Sequence, residues 1–152
     1  MTIIREASEQ DVDRLVEYGR TFWEQTLYFE DGVDYDAGSV IYMTRWLLEE
    51  GVAIYAEKAG KPVGLLLAVV GPFPMNNSFQ AATEWVFYVD PEVRKEGVGQ
   101  RLIAFATEIL RARGVKYLSM ISLANVQPEA AEGLYKSLGF RHTESSFTKD
   151  LG

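Results

Sequence analysis

Cysteine is missing from all 152 residues of the chain, which excludes disulfides, thiolate nucleophiles and sulfur-ligated metals together. Histidine occurs once, at His142, so a multi-histidine site is excluded as well and no metal is expected. Positive charge is scarce: 15 basic residues face 22 acidic ones, a formal charge of -7. A phosphate-coated polymer would meet overall repulsion, so nucleic acid is a poor partner. Long hydrophobic runs are lacking too. No window reaches the ~18 apolar residues of a membrane span, and the opening Met1-Thr2-Ile3-Ile4-Arg5-Glu6 has no apolar stretch behind a basic head. No membrane partner is expected, and the location expected is cytoplasmic. What chemistry there is must come from carboxylates, hydroxyls, amines and backbone groups.

Against these absences stands a hydrophobic fraction of 47%, enough to give a chain of this length one core, and a single domain over 1–152 is expected. Residues 2–5 read as a short strand, and Ser8 and Asp11 are spaced as a capping pair. Val12, Leu15, Val16, Phe22, Trp23 and Leu27 then recur mostly at three- and four-residue steps, the stripe of an amphipathic helix. An acidic, aromatic linker over 28–36 leads to a second helical pattern that stops near Gly51. Strands are predicted over 52–57 and 63–70, joined by a turn at Gly60, and over 84–89 after a segment rich in turn formers. A helix through Leu102, Ile103, Ala106, Ile109 and Leu110, a strand over 116–123, a helix starting near Pro128 and a last strand over 140–149 complete the order. The result is a mixed α/β sheet with helices packed on it. Trp46 and Trp85 are expected in the core.

The stretch from Val89 to Leu102 is the informative one: a strand breaks at Pro91 and the chain re-enters a helix through Gly97 and Gly99. Glycines let backbone approach a ligand closely. Free amides at a helix start, reinforced by the dipole and by Arg94, Lys95 and Arg101, suit an anion such as a pyrophosphate. The same residues would equally suit an ordinary glycine turn with a solvated basic rim. A nucleotide-triphosphate loop needs Lys and Ser/Thr after its last glycine, whereas Gly99 is followed by Gln100-Arg101. A dinucleotide fingerprint needs a third glycine where Leu102 stands.

Arg94-x-x-Gly97-x-Gly99 matches the Gln/Arg-x-x-Gly-x-Gly/Ala signature of the GNAT N-acetyltransferase superfamily, and the lead-in Tyr88-Val89-Asp90-Pro91 resembles that family's strand ending. Leu134-Tyr135-Lys136-Ser137-Leu138-Gly139-Phe140 resembles its late Leu-Tyr-x-x-x-Gly-Phe segment, and the element order agrees over nearly the whole chain. The resemblance implies a mixed, mostly antiparallel sheet flanked by helices and acetyl-CoA as cosubstrate. The pantetheine arm would lie along Tyr88 and Val89, and the pyrophosphate on the turn of Arg94, Lys95, Glu96, Gly97, Val98, Gly99, Gln100 and Arg101. It further implies direct acetyl transfer to the amine of a small molecule or peptide, and pairing with a second copy of the chain. A module that binds acyl-CoA or a protein partner without turnover is the alternative on the same fold.

Direct attack of an amine on a thioester needs a proton acceptor and a proton donor but no enzyme nucleophile. Glu84 resembles the carboxylate that some members use as general base; it would otherwise be a solvated strand end. Simple alternation puts Glu84, Val86 and Tyr88 on one face of its strand. Tyr135 resembles the family tyrosine that protonates the departing thiolate, and it also completes an apolar helical stripe. Pro128 departs from the family, standing where many relatives carry asparagine, with Asn125 upstream. For the acceptor, the resemblance points to residues 28–36 and 71–80, in which Tyr28, Phe29 and Phe73 could form an apolar wall and Glu30 could attract a cationic amine. A solvated acidic loop would read the same. No role falls to His142.

Overall fold

A computed structural model describes all 152 residues. Five strands, β1 (Thr2–Glu6), β2 (Val52–Lys58), β3 (Lys61–Phe73), β4 (Asn76–Val89) and β5 (Tyr117–Ser119), lie side by side in sequence order. The first four run antiparallel, whereas β4 and β5 are parallel. Five helices cover the sheet: α1 (Val12–Trp23), α2 (Leu27–Glu30), α3 (Ala37–Glu50), α4 (Val98–Ala112) and α5 (Pro128–Ser137). None is long and apolar enough to cross a membrane. The mixed sheet with flanking helices is the architecture expected from the sequence.

The apolar stripes decide which face each helix covers. Ile54, Leu66, Ala68, Ala82 and Val89 share a core with Val98, Leu102, Ile103, Ala106 and Leu110 of α4 and Tyr135 of α5. Ala53, Tyr55, Leu65 and Leu67 face the other way, against Leu15 of α1 and Leu47 of α3. Alternation along β2 and β3 thus feeds both layers, which is why these strands read as nearly unbroken apolar runs. The capping pair forms as predicted, Ser8 donating its N–H to Asp11 at 2.9 Å. Asp36 caps α3 by accepting from the amides of Gly38 and Ser39.

Four local expectations are corrected. The first helical stripe does not continue to Leu27, because α1 stops at Trp23 and Thr26 caps the separate turn α2. The turn formers over 71–78 make no long loop; β3 and β4 run to a tight tip between Phe73 and Asn76. The predicted strand over 116–123 shrinks to three paired residues. Residues 140–149 join no strand; Phe140 still donates its amide to the Tyr135 carbonyl, whereas Phe147 is 95% exposed. In both of the last two cases the pattern suits a strand, but the sheet offers no partner along that length.

Candidate active site

β4 is the strand on which the site is built. It pairs with β3 along most of its length, but Leu67 opposes Val86 while Ala68 opposes Glu84, so Trp85 is an extra residue. This bulge resets the alternation. Glu84 falls on the α4/α5 face, in step with Ala82 before it and with Phe87 and Val89 after it, while Val86 and Tyr88 face α1 and α3. The face shared by Glu84, Val86 and Tyr88 in a regular strand is therefore split. Trp85 is pushed outward, 44% exposed, with its ring 5.9 Å from that of Trp46, so the expected core placement of both indoles does not hold.

On its other edge β4 pairs with β5 only from Ala81 to Thr83. Beyond Thr83 and Ser119 the two chains part, which leaves the edge of β4 from Glu84 to Val89 without a strand beside it. The closed end of this gap holds both sequence-predicted catalytic candidates. Glu84, 4% exposed, accepts the amide of Ile121 at 3.1 Å, and Tyr135, 7% exposed, donates its hydroxyl to the carbonyl of the same residue at 2.8 Å. Burial pushes the Glu84 carboxyl up to about 8, against the opposing pull of the Ile121 amide. Burial, helped by the Glu84 charge, also raises the Tyr135 phenol above its ordinary value.

The open end of the gap meets the glycine turn. Asp90 ends β4 with its amide on Val63, a short 3₁₀ turn covers Pro91–Glu96, and Gly97 then takes the left-handed conformation at φ 76°. The first bond of α4 runs from the Arg101 amide to the Gly97 carbonyl. The amides of Val98, Gly99 and Gln100 consequently have no partner inside their helix, and no side chain caps it. Gly99 is needed for a different reason: a Cβ there would press on Leu134 and Phe87 at 3.3 and 3.4 Å. The basic trio is less uniform than the sequence suggested. Arg94 donates to the Val89 carbonyl at 2.9 Å, Arg101 reaches back to the Thr2 carbonyl, and Lys95 is exposed and outside every ion pair. Glu96 is held by Lys58 at 2.9 Å.

Tyr88 is buried between Tyr18 and Phe22 of α1 and accepts from Gln25. The hydroxyl of Tyr18 donates to Asp90 at 2.8 Å, and Asn125 donates to the Gln25 carbonyl, tying the loop before α5 to the end of α1. The four acceptor candidates are not brought together. Tyr28, Phe29 and Glu30 lie on α2, where Tyr28 stacks on Trp23, whereas Phe73 sits at the far tip of the β3–β4 hairpin against Tyr117. The structure instead holds a cavity of about 430 Å³ between α1, α3 and the sheet, lined by Trp23, Val40, Met43, Trp85 and Val86 among others. The end of the expected 28–36 segment, Val33 to Asp36, does line this hollow, whereas the wall residues on α1, α3 and the sheet carry only the ordinary signature of a core stripe.

The family model described as "Acetyltransferase (GNAT) family" matches residues 15–140. The chain belongs to the GNAT acetyltransferase family. It is 30% identical over 103 residues to an uncharacterized N-acetyltransferase of Methanocaldococcus jannaschii, a match covering 66% of this chain and 44% of that protein. The chain thus spans less than half the length of that curated relative. A predicted acetyltransferase with acetyl-CoA from Clostridium acetobutylicum superposes with a TM-score of 0.76 at 16% identity, over 99% of this chain and 97% of the other. An aminoglycoside acetyltransferase from an uncultured soil metagenomic sample gives 0.74 at 20% identity, over 100% and 99%. Both solved acetyltransferase structures share the fold of the sheet and its helices.

Proposed function

We propose that the protein transfers an acetyl group from acetyl-CoA to a primary amine. The reading is supported chiefly by the parting of β4 and β5 beside the uncapped first turn of α4. That combination offers an unpaired strand edge for an amide-bearing arm and free N–H groups for a diphosphate, and it lies where a GNAT relative solved with acetyl-CoA has the same fold. The residues present fit the group: Gly97 supplies the left-handed turn, Lys95 is a free cation, and the edge of β4 beyond Thr83 has no strand beside it, with Arg94 on the Val89 carbonyl at its end.

Acetyl-CoA, when bound, supplies a thioester as the acyl donor. The chain's own part is to hold that donor and to move protons around it. Glu84 is the proposed proton acceptor for the incoming amine, and with a pKa of about 8 only a minor fraction of it is ready at neutral pH. Tyr135 is the proposed donor at its hydroxyl, which must exchange the Ile121 carbonyl for the departing sulfur. An aminoglycoside relative shares the fold, so polycationic amines belong in any first panel of acceptors.

A second reading has one observation in its favour: Glu84 and Tyr135 both grip the Ile121 peptide, which a purely structural pair would also do. One experiment separates the two. Acetyl-CoA affinity is measured by calorimetry, and thiol release is followed with a panel of amines and peptides. Binding with acceptor-dependent release is the expected outcome; binding without release from any acceptor would favour the non-catalytic module, and absence of binding would overturn both.

A further inference from the structure

The cavity between α1, α3 and the sheet lies on the opposite face of β4 from Glu84, yet it reaches the same strand at the bulge, where Trp85 and Val86 form part of its wall. At about 430 Å³ it falls within the ~300–1,000 Å³ usual for small-molecule sites. Its floor and sides are Leu15, Phe22, Val40, Met43, Leu65 and Leu67.

Its polar inventory is short once internal bonds are subtracted. Thr44 donates to the Val40 carbonyl, Tyr35 to the Val16 carbonyl, and the Trp23 indole to the Val33 carbonyl. Ser39 and Asp36 satisfy each other at the start of α3. Among the carboxylates of the wall only Asp34 makes no hydrogen bond or ion pair, and it is exposed at the mouth. A ligand with many hydroxyls or several ammonium groups would bury them unpaired there, which disfavours its binding.

We propose that this cavity receives the acceptor and selects a primary amine borne on a single aryl or alkyl body, in preference to polyamines and polyhydroxylated amines. The inference rests on the acyl-transfer reading above and narrows its substrate. Asp34 would draw the ammonium form to the mouth, while the apolar interior disfavours charge and so favours the neutral, attacking form. The aromatic walls suit a flat body.

The test uses 2-phenylethylamine, spermidine and kanamycin as acceptors with acetyl-CoA, and reads the cavity separately by tryptophan fluorescence, since two of the three tryptophans line it. The expected result is a kcat/KM for 2-phenylethylamine at least about ten-fold above the other two, a difference worth about 1.4 kcal/mol. Saturable quenching by 2-phenylethylamine is expected even without acetyl-CoA. Val40→Phe, which fills the cavity, should raise its Kd about ten-fold. Asp34→Asn, on an exposed position that does not endanger folding, should raise it by a smaller factor. Higher kcat/KM for kanamycin or spermidine, or quenching unaltered by both variants, would overturn the inference. Absence of thiol release from every amine would instead remove the acyl-transfer reading, and the fluorescence titration tells these failures apart because it needs no turnover.

Discussion

At pH 7 the carboxyl of Glu84 keeps its proton in the folded chain and loses it in the unfolded one, because burial lifts its pKa from 4.5 to about 8. The native state therefore binds the extra proton between these values, and stability falls as pH rises through the window and levels off above 8. Urea unfolding from pH 5 to 9 should show this slope in the wild type and not in Glu84→Gln. The same substitution should remove the rise of kcat/KM toward pH 8 if the carboxylate accepts the amine's proton. Tyr135→Phe should lower kcat by about a hundred-fold, the low end for a positioned general acid, while acetyl-CoA affinity stays nearly constant. An unchanged kcat would leave Tyr135 as a support for the Ile121 carbonyl. Both residues were legible in the sequence as candidates, Glu84 by its place at the head of the strand that leads to the glycine turn and Tyr135 by the late Leu-Tyr-x-x-x-Gly-Phe segment. Their common grip on Ile121 was not, since it depends on a loop whose path no local pattern fixes.

The element that matters most is the turn into α4. Gly97 sits at φ 76°, a region that a β-branched side chain enters only at a cost of about 1–2 kcal/mol. Gly97→Val should lower the melting temperature modestly and weaken acetyl-CoA binding on calorimetry, by shifting the amides of Val98, Gly99 and Gln100 out of line. Gly99→Glu would be a poorer probe of the same turn, for its Cβ points at Leu134 and Phe87 and would disturb the core. The glycine pattern, the helix stripes and the capping pair of Ser8 and Asp11 could all be read beforehand because each follows from bonds within a few residues. The bulge at Trp85 could not, because an extra residue in a strand is defined only against its partner, here Leu67 and Ala68 of β3. The missing strand over 140–149 has the same cause, since a strand exists only where a neighbour is offered.

Across the whole molecule, a second buried carboxylate sets the acid limit. Asp11 loses solvation on burial, yet bonds from Ser8, Arg14 and Tyr55 outweigh that and hold its pKa down to about 2. Its contribution is complete above the ordinary value of 3.8 and disappears as pH drops toward 2, opposite in sense to Glu84. Asp11→Ala should thus destabilise the fold by about 2 kcal/mol, through loss of the bonds it accepts from Ser8 and Tyr55 while Arg14 keeps Glu57, measured by urea unfolding at pH 6. Together the two groups place the wild-type optimum of stability on the acid side of neutrality, while the proposed reaction improves on the alkaline side. Burial of Glu84 forces that opposition. The extra residue in β4 has a further reach. Because it inserts half a pleat, one continuous backbone presents its proton-handling carboxyl to one layer of the molecule and its cavity wall to the other, so both reactants could be addressed through a single rigid partition. Straightening the bulge with Trp85 retained would rotate everything before it by half a period, turning Glu84 onto the face of Val86 and leaving the gap beside Ile121 without its acid.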